Sequence, residues 1–128
     1  MNRTMPPFLL LGALCAFVGV GMGAFGAHGL KAVISPELLA VYQTGVTYQM
    51  WHSLGLMALA ALSPRAPQSK LVAWAGWLMF GGIGIFSGSL YALAILNLSW
   101  LGMFTPIGGL CFLTAWLLIV VFAAKQRC

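Results

Sequence analysis

Four runs of about twenty apolar residues, separated by short connections, leave this chain very little choice of fold. A helix rises about 1.5 Å per residue, so such a run crosses a hydrocarbon core about 30 Å thick. Within the core every backbone N–H and C=O must be satisfied inside the chain, which for runs of this length means α-helix. The alternative of a water-solvated surface fails on inventory. Only 5% of the residues are charged and 62% are hydrophobic, against about 25% charged in soluble domains.

The sequence predicts an all-α integral membrane protein, a single domain over 1–128 with spans near 8–27, 38–62, 71–96 and 106–124. The start of the second span is marked by Ser35 as cap, Pro36 at the first helical position and Glu37 in the first turn. Ser63-Pro64 ends it. Thr105-Pro106 is read as a second cap-and-proline start, and Lys125 closes the last run. Short connections make neighbouring helices antiparallel, giving an up-down-up-down bundle.

Orientation follows from basic charge. Arg3, Arg65, Lys70, Lys125 and Arg127 fall on one side of this pattern, and Lys31 alone falls on the other. By the positive-inside rule both termini and the Arg65–Lys70 connection are cytoplasmic. The same dispersion excludes a nucleic-acid surface, since no run or stripe of cations could track a phosphate backbone. Arg3 ahead of an apolar run suggests a secretory leader, but Phe8–Ala27 exceeds the 7–15 residues of such a core and is read as the first span. Cys15, Cys111 and Cys128 show no metal-ligand spacing, and an odd count does not make a disulfide framework. Asn2-Arg3-Thr4 and Asn97-Leu98-Ser99 match the glycosylation sequon and are read as chance matches.

Membrane helices associate by close packing, so small-residue faces are informative. Gly12, Ala16, Gly19, Gly23 and Gly26 recur at three- and four-residue spacing, with Gly19 and Gly23 as a small-xxx-small pair. Gly81, Gly84, Gly88 and Ala92 form a second face, with Gly84 and Gly88 as its pair. Packing within one bundle is the leading reading of both, and self-association the second. Gly21–Phe25 resembles Gly82–Phe86, which is either a duplicated hairpin or two glycine-rich helix faces that coincide. Trp74 and Trp100 suit interfacial belts, whereas Trp51 and Trp116 are expected between helices.

Polar side chains at membrane depth need partners. The candidates are His28, Glu37, Tyr48, Gln49, His52, Ser87, Ser89 and Tyr91. At 100° per residue, Glu37, Gly45, Tyr48 and His52 share one face, and Tyr48 and His52 are one turn apart. These two are expected to bond each other or to meet Ser87, Ser89 or Tyr91 across a helix interface. Glu37 and His52 are about 22 Å apart along a helix, which excludes a dyad. An intramembrane imidazole can relay protons or bind metal; a neutral His satisfied by hydroxyls is the leading reading. His28, Lys31 and Glu37 gather on the outer side, where a Lys31–Glu37 ion pair is plausible. Neither a zinc-protease arrangement nor any nucleophile or phosphate motif occurs, and the chain has no Asp. No catalytic residue, metal or cofactor is therefore expected.

Four blocks in order, Gly23–Leu30, Tyr48–His52, Phe86–Tyr91 and Thr105–Gly109, resemble the YgdD-like membrane proteins related to transmembrane protein 256, catalogued as domain of unknown function 423. The resemblance covers essentially the whole chain. It implies a small integral membrane protein of about four helices with no assigned activity. The absence of an Arg- and Ser-rich presequence points to a bacterial inner membrane rather than an organelle.

The leading expectation is a non-enzymatic component that packs in the bilayer as a homo-oligomer or with a larger membrane partner. The alternative is a small transporter, channel or proton-linked component using the polar cluster around His52.

Overall fold

The computed structural model describes residues 7–62 and 69–126. Arg3, Arg65, Arg127, Cys128, the Ser63-Pro64 stop and the Asn2 sequon lie outside the described residues. Within them the chain is helical, with no strand. Helix α1 runs Phe8–His28 and α2 runs Pro36–Leu62, joined through a 3-10 turn at Leu30–Ala32. A third rod consists of α3 (Lys70–Gly82), a π-helical turn (Ile83–Ser87) and α4 (Gly88–Leu96). A 3-10 turn at Ser99–Met103 leads into α5, Thr105–Gln126.

Local chemistry sets most ends. The Ser35 hydroxyl accepts from the Leu38 N–H at 3.2 Å, and Ser69 accepts from Val72 N–H at the start of α3. Asn97 ends α4 in the left-handed region, φ 56°, a conformation that asparagine tolerates better than most residues. Thr105 departs from the expected capping role. It is already the first residue of α5, and its hydroxyl pairs with Ser89 at 2.6 Å, tying α5 to α4.

Neighbouring rods are antiparallel, as the contacts of their glycines show. Gly12 meets Ser53 and Met57, Gly19 meets Met50, and Gly26 meets Tyr42, so α1 descends along α2. Gly45 meets Tyr91 and Gly55 meets Met79, aligning α2 against the third rod. Gly82 meets Phe112 and Gly108 meets Phe86, aligning that rod against α5. The larger core joins all four around Phe8, Leu56, Met79, Ile83 and Phe112; a smaller one joins Leu30, Tyr42 and Ala94.

Among the described residues three segments are long and apolar enough to cross a membrane: Phe8–Ala32, Lys70–Leu96 and Ser99–Gln126. Helix α2 is also long, 27 residues, but Gln43, Thr44, Thr47, Gln49, His52 and Ser53 dilute its apolar character. The look-alike segments differ in backbone. Gly21–Phe25 is regular α-helix, whereas Gly82–Phe86 runs into the π turn.

Candidate functional site

The polar side chains of α2 divide between two sites on opposite flanks of the helix. On the α1 side, the Gln49 amide sits buried. Its Nε2 donates to the Cys15 carbonyl at 2.7 Å, and its Oε1 accepts from the Tyr91 hydroxyl at 2.5 Å. The Tyr42 hydroxyl donates to the Met22 carbonyl at 2.6 Å, and its ring lies 5.1 Å from that of Tyr91. Ser87, at the end of the π turn, donates to the Gly45 carbonyl at 2.6 Å. Three rods are thus tied together by side-chain bonds to backbone carbonyls and by one side-chain pair.

The π turn explains how one rod serves two neighbours. The Gly88 N–H reaches back to the Ile83 carbonyl, adding a residue to the turn. Ser87 then addresses α2 while Phe86 abuts Gly108 of α5.

On the α5 side lies His52, 3% exposed. Its Nε2 accepts from the Trp116 indole N–H at 2.9 Å, and its Nδ1 lies 2.7 Å from the Tyr48 carbonyl. An indole only donates and a carbonyl only accepts, so the ring is the neutral Nδ1–H tautomer with both nitrogens engaged. Phe112 stacks on it at 3.6 Å and 8°. A groove of about 640 Å³ opens beside this stack, lined by Tyr48, Trp51 and His52 of α2, Phe86, and Pro106 to Trp116 of α5. A smaller notch of about 250 Å³ meets it at Tyr48 and is lined by Ala40, Gln43, Thr44 and Thr47.

The expected cluster is therefore brought together only in part. Gln49 joins Tyr91, but His52 meets none of Ser87, Ser89 or Tyr91, and Tyr48 contributes its backbone carbonyl and its ring rather than its hydroxyl. His28 and Glu37 are exposed at the α1–α2 connection, far along the helices from His52, and no Lys31–Glu37 ion pair forms. Trp51 is not enclosed between helices as expected: it is 57% exposed on the outer flank of α2, and Trp116, 42% exposed, turns its N–H to His52 and its far ring edge toward Gly55. Sequence reading did not single out Tyr42 or Phe112, nor Trp116 as the partner of His52. An indole is one of the few donors at membrane depth able to reach an imidazole, which was the available signal.

Comparison with known proteins adds a family. The profile described as "Protein of unknown function (DUF423)" matches residues 22–109. The chain belongs to the DUF423 family. It is 50% identical over 121 residues to the UPF0382 membrane protein YwdK of Bacillus subtilis, covering 94% of this chain and 98% of that one. It is 47% identical to the UPF0382 membrane protein SH2409 of Staphylococcus haemolyticus, at 94% and 98% coverage. The Staphylococcus saprophyticus protein SSP2132, also a UPF0382 membrane protein, is 49% identical at 94% and 99%. No solved structure matches. Membership makes this a membrane protein of an uncharacterised family, and three of the four blocks that carried the resemblance meet at the α2–α5 groove.

Proposed function

We propose that the chain crosses the bacterial cytoplasmic membrane four times with both termini inside, and serves as a non-enzymatic packing component that pairs with a second copy through α3–α4. The observation that carries this reading is an asymmetry between the two glycine faces. A Cβ on Gly12, Gly19 or Gly26 of α1 would meet α2 atoms within 2.8 Å, whereas one on Gly81, Gly84 or Gly88 would meet nothing within 4 Å. The first face is consumed inside the chain; the second is an open, flat surface that another helix can approach closely.

Helix α2 as a fourth span is supported by its length and by the internal bonds of Gln49, His52 and Ser53. The engaged nitrogens of His52 favour packing over a proton path, which would need a free lone pair. Two measurements test the proposal. In membranes, Gly84→Cys or Gly88→Cys in a chain lacking Cys15, Cys111 and Cys128 should form a disulfide-linked dimer, while Gly21→Cys, equally open on α1, should not. Equal yields at all three positions mean random collision and overturn the self-association face. Reporter fusions should place the C-terminus and the Lys70 connection inside and the Lys31 connection outside; an external C-terminus overturns the topology.

A further inference from the structure

We infer that the groove between α2 and α5, with the polar notch that joins it at Tyr48, binds a neutral isoprenoid lipid with a carbonyl-bearing ring, a quinone. The inference rests on α2 crossing the membrane and is independent of the glycine face. Helix α2 is about 40 Å long and Tyr48 stands near its middle, so the notch, which runs from Tyr48 toward Ala40, lies in the half of the span nearer the Lys31 connection. Three hydrogen-bonding side chains on the notch have no protein partner: the Tyr48 hydroxyl, half-buried, and the exposed Thr47 hydroxyl and Gln43 amide. Polar groups left unpaired against hydrocarbon are costly, so they call for a ligand or partner that satisfies them.

The chemistry of the occupant follows from the lining. Among the described residues no charged side chain borders groove or notch, which leaves nothing there to neutralise an anionic headgroup. The three groups lie within roughly 10 Å of the middle of α2, inside a hydrocarbon half-thickness of about 15 Å, where a zwitterionic headgroup does not reach. All three unpaired groups can donate a hydrogen bond, which suits a carbonyl oxygen. Beyond them the groove turns apolar and aromatic, with Trp51, Phe86 and Trp116 offering faces to a flat ring, and Leu110 and Leu113 offering a wall to a hydrocarbon tail. Its volume of about 640 Å³ falls within the range of small-molecule sites. His52 gives the groove its rigid floor, since both its nitrogens are already engaged. The site is one of binding, and no electron transfer is assigned to it.

The test uses the full chain in phosphatidylcholine nanodiscs, titrated with decylubiquinone and read by quenching of tryptophan fluorescence. Saturable quenching is expected, because Trp51 and Trp116 line the site. Tyr48→Phe keeps the ring and removes the hydroxyl, and should weaken binding about five-fold, the effect of one hydrogen bond. Gly109→Leu should abolish the saturable component, because Gly109 has room for a Cβ, 4.0 Å from the Phe86 ring, and the longer side chain fills the groove. Should Gly109→Leu not fold, Tyr48→Phe decides alone. Quenching that rises without saturation, an unchanged affinity in Tyr48→Phe, or equal competition by squalene, which has no polar head, overturns the inference.

Discussion

Gly108→Ala is expected to cost about 3 kcal/mol of stability, at the upper end of what overpacking does. Its Cβ would fall 2.5 Å from the Phe86 amide nitrogen and 2.8 Å from the Phe86 Cα. Those are backbone atoms of the π turn, and no side-chain rotation relieves the contact. Helix α5 must move away from the third rod, which strains the Ser89–Thr105 pair and loosens Phe112 against Gly82. Thermal unfolding in mild detergent, followed by circular dichroism, should rank three alanine variants. Gly108→Ala should melt far below the wild type. Gly19→Ala should fall in between, because its Cβ meets the flexible end of Met50. Gly84→Ala should lie within about 0.5 kcal/mol of the wild type, the range for substitutions on an open surface. A Gly108→Ala protein as stable as the wild type would falsify the close approach of α5.

That ranking separates what the sequence discloses from what only the fold does. The helix boundaries at Phe8 and Leu96 coincide with the ends of apolar runs, because burial of backbone hydrogen bonds leaves a long apolar run few alternatives. The small-residue spacing was equally visible on α1 and on the third rod. Nothing in it distinguished Gly19, which is pressed against α2, from Gly84, which faces outward. That distinction depends on how each helix is rotated about its own axis, and rotation is set by the neighbour's side chains. The π turn adds a second reason. A 100° wheel carried through Ile83–Ser87 assigns the wrong faces beyond it, and no residue pattern announced the extra step.

The polar cluster was legible as a set of residue types but not as a set of pairs. Tyr48 and His52 are one turn apart, so a side-chain bond between them was a natural expectation. In the fold the helix's own carbonyl takes the imidazole N–H, and Trp116, far along the chain, takes the other nitrogen. Backbone carbonyls proved the commonest acceptors: those of Cys15, Met22, Gly45, Tyr48 and Gln49 each receive a side chain. A reading that matches side chains only with side chains cannot find them, since every residue carries a carbonyl. His28 and Glu37 failed as cluster members for a simpler reason. They flank the α1–α2 connection, where exposure removes the need for a partner.

Gln49 offers the sharpest energetic test of the buried network. Gln49→Leu keeps the volume but removes two bonds, leaving the Tyr91 hydroxyl without a partner while the Cys15 carbonyl keeps its place in the α1 helix ladder. Interhelical bonds in membranes contribute about 0.6 kcal/mol on average and up to about 1.7, and a stranded polar group adds its own desolvation cost. The expected loss is therefore about 2 kcal/mol. Tyr91→Phe removes the stranded hydroxyl from the other side and should cost about 1 kcal/mol alone. Combined, the two should cost about 1 kcal/mol less than their sum, because the second change no longer breaks a bond. A double-mutant cycle from unfolding free energies in detergent measures that difference. Strict additivity would mean that the carboxamide and the phenol do not act together, and that Gln49 is held by the α1 carbonyl alone. Coupling of the expected size ties α2 to α4 through the Gln49–Tyr91 bond, beside the separate bond from Gln49 to the Cys15 carbonyl of α1.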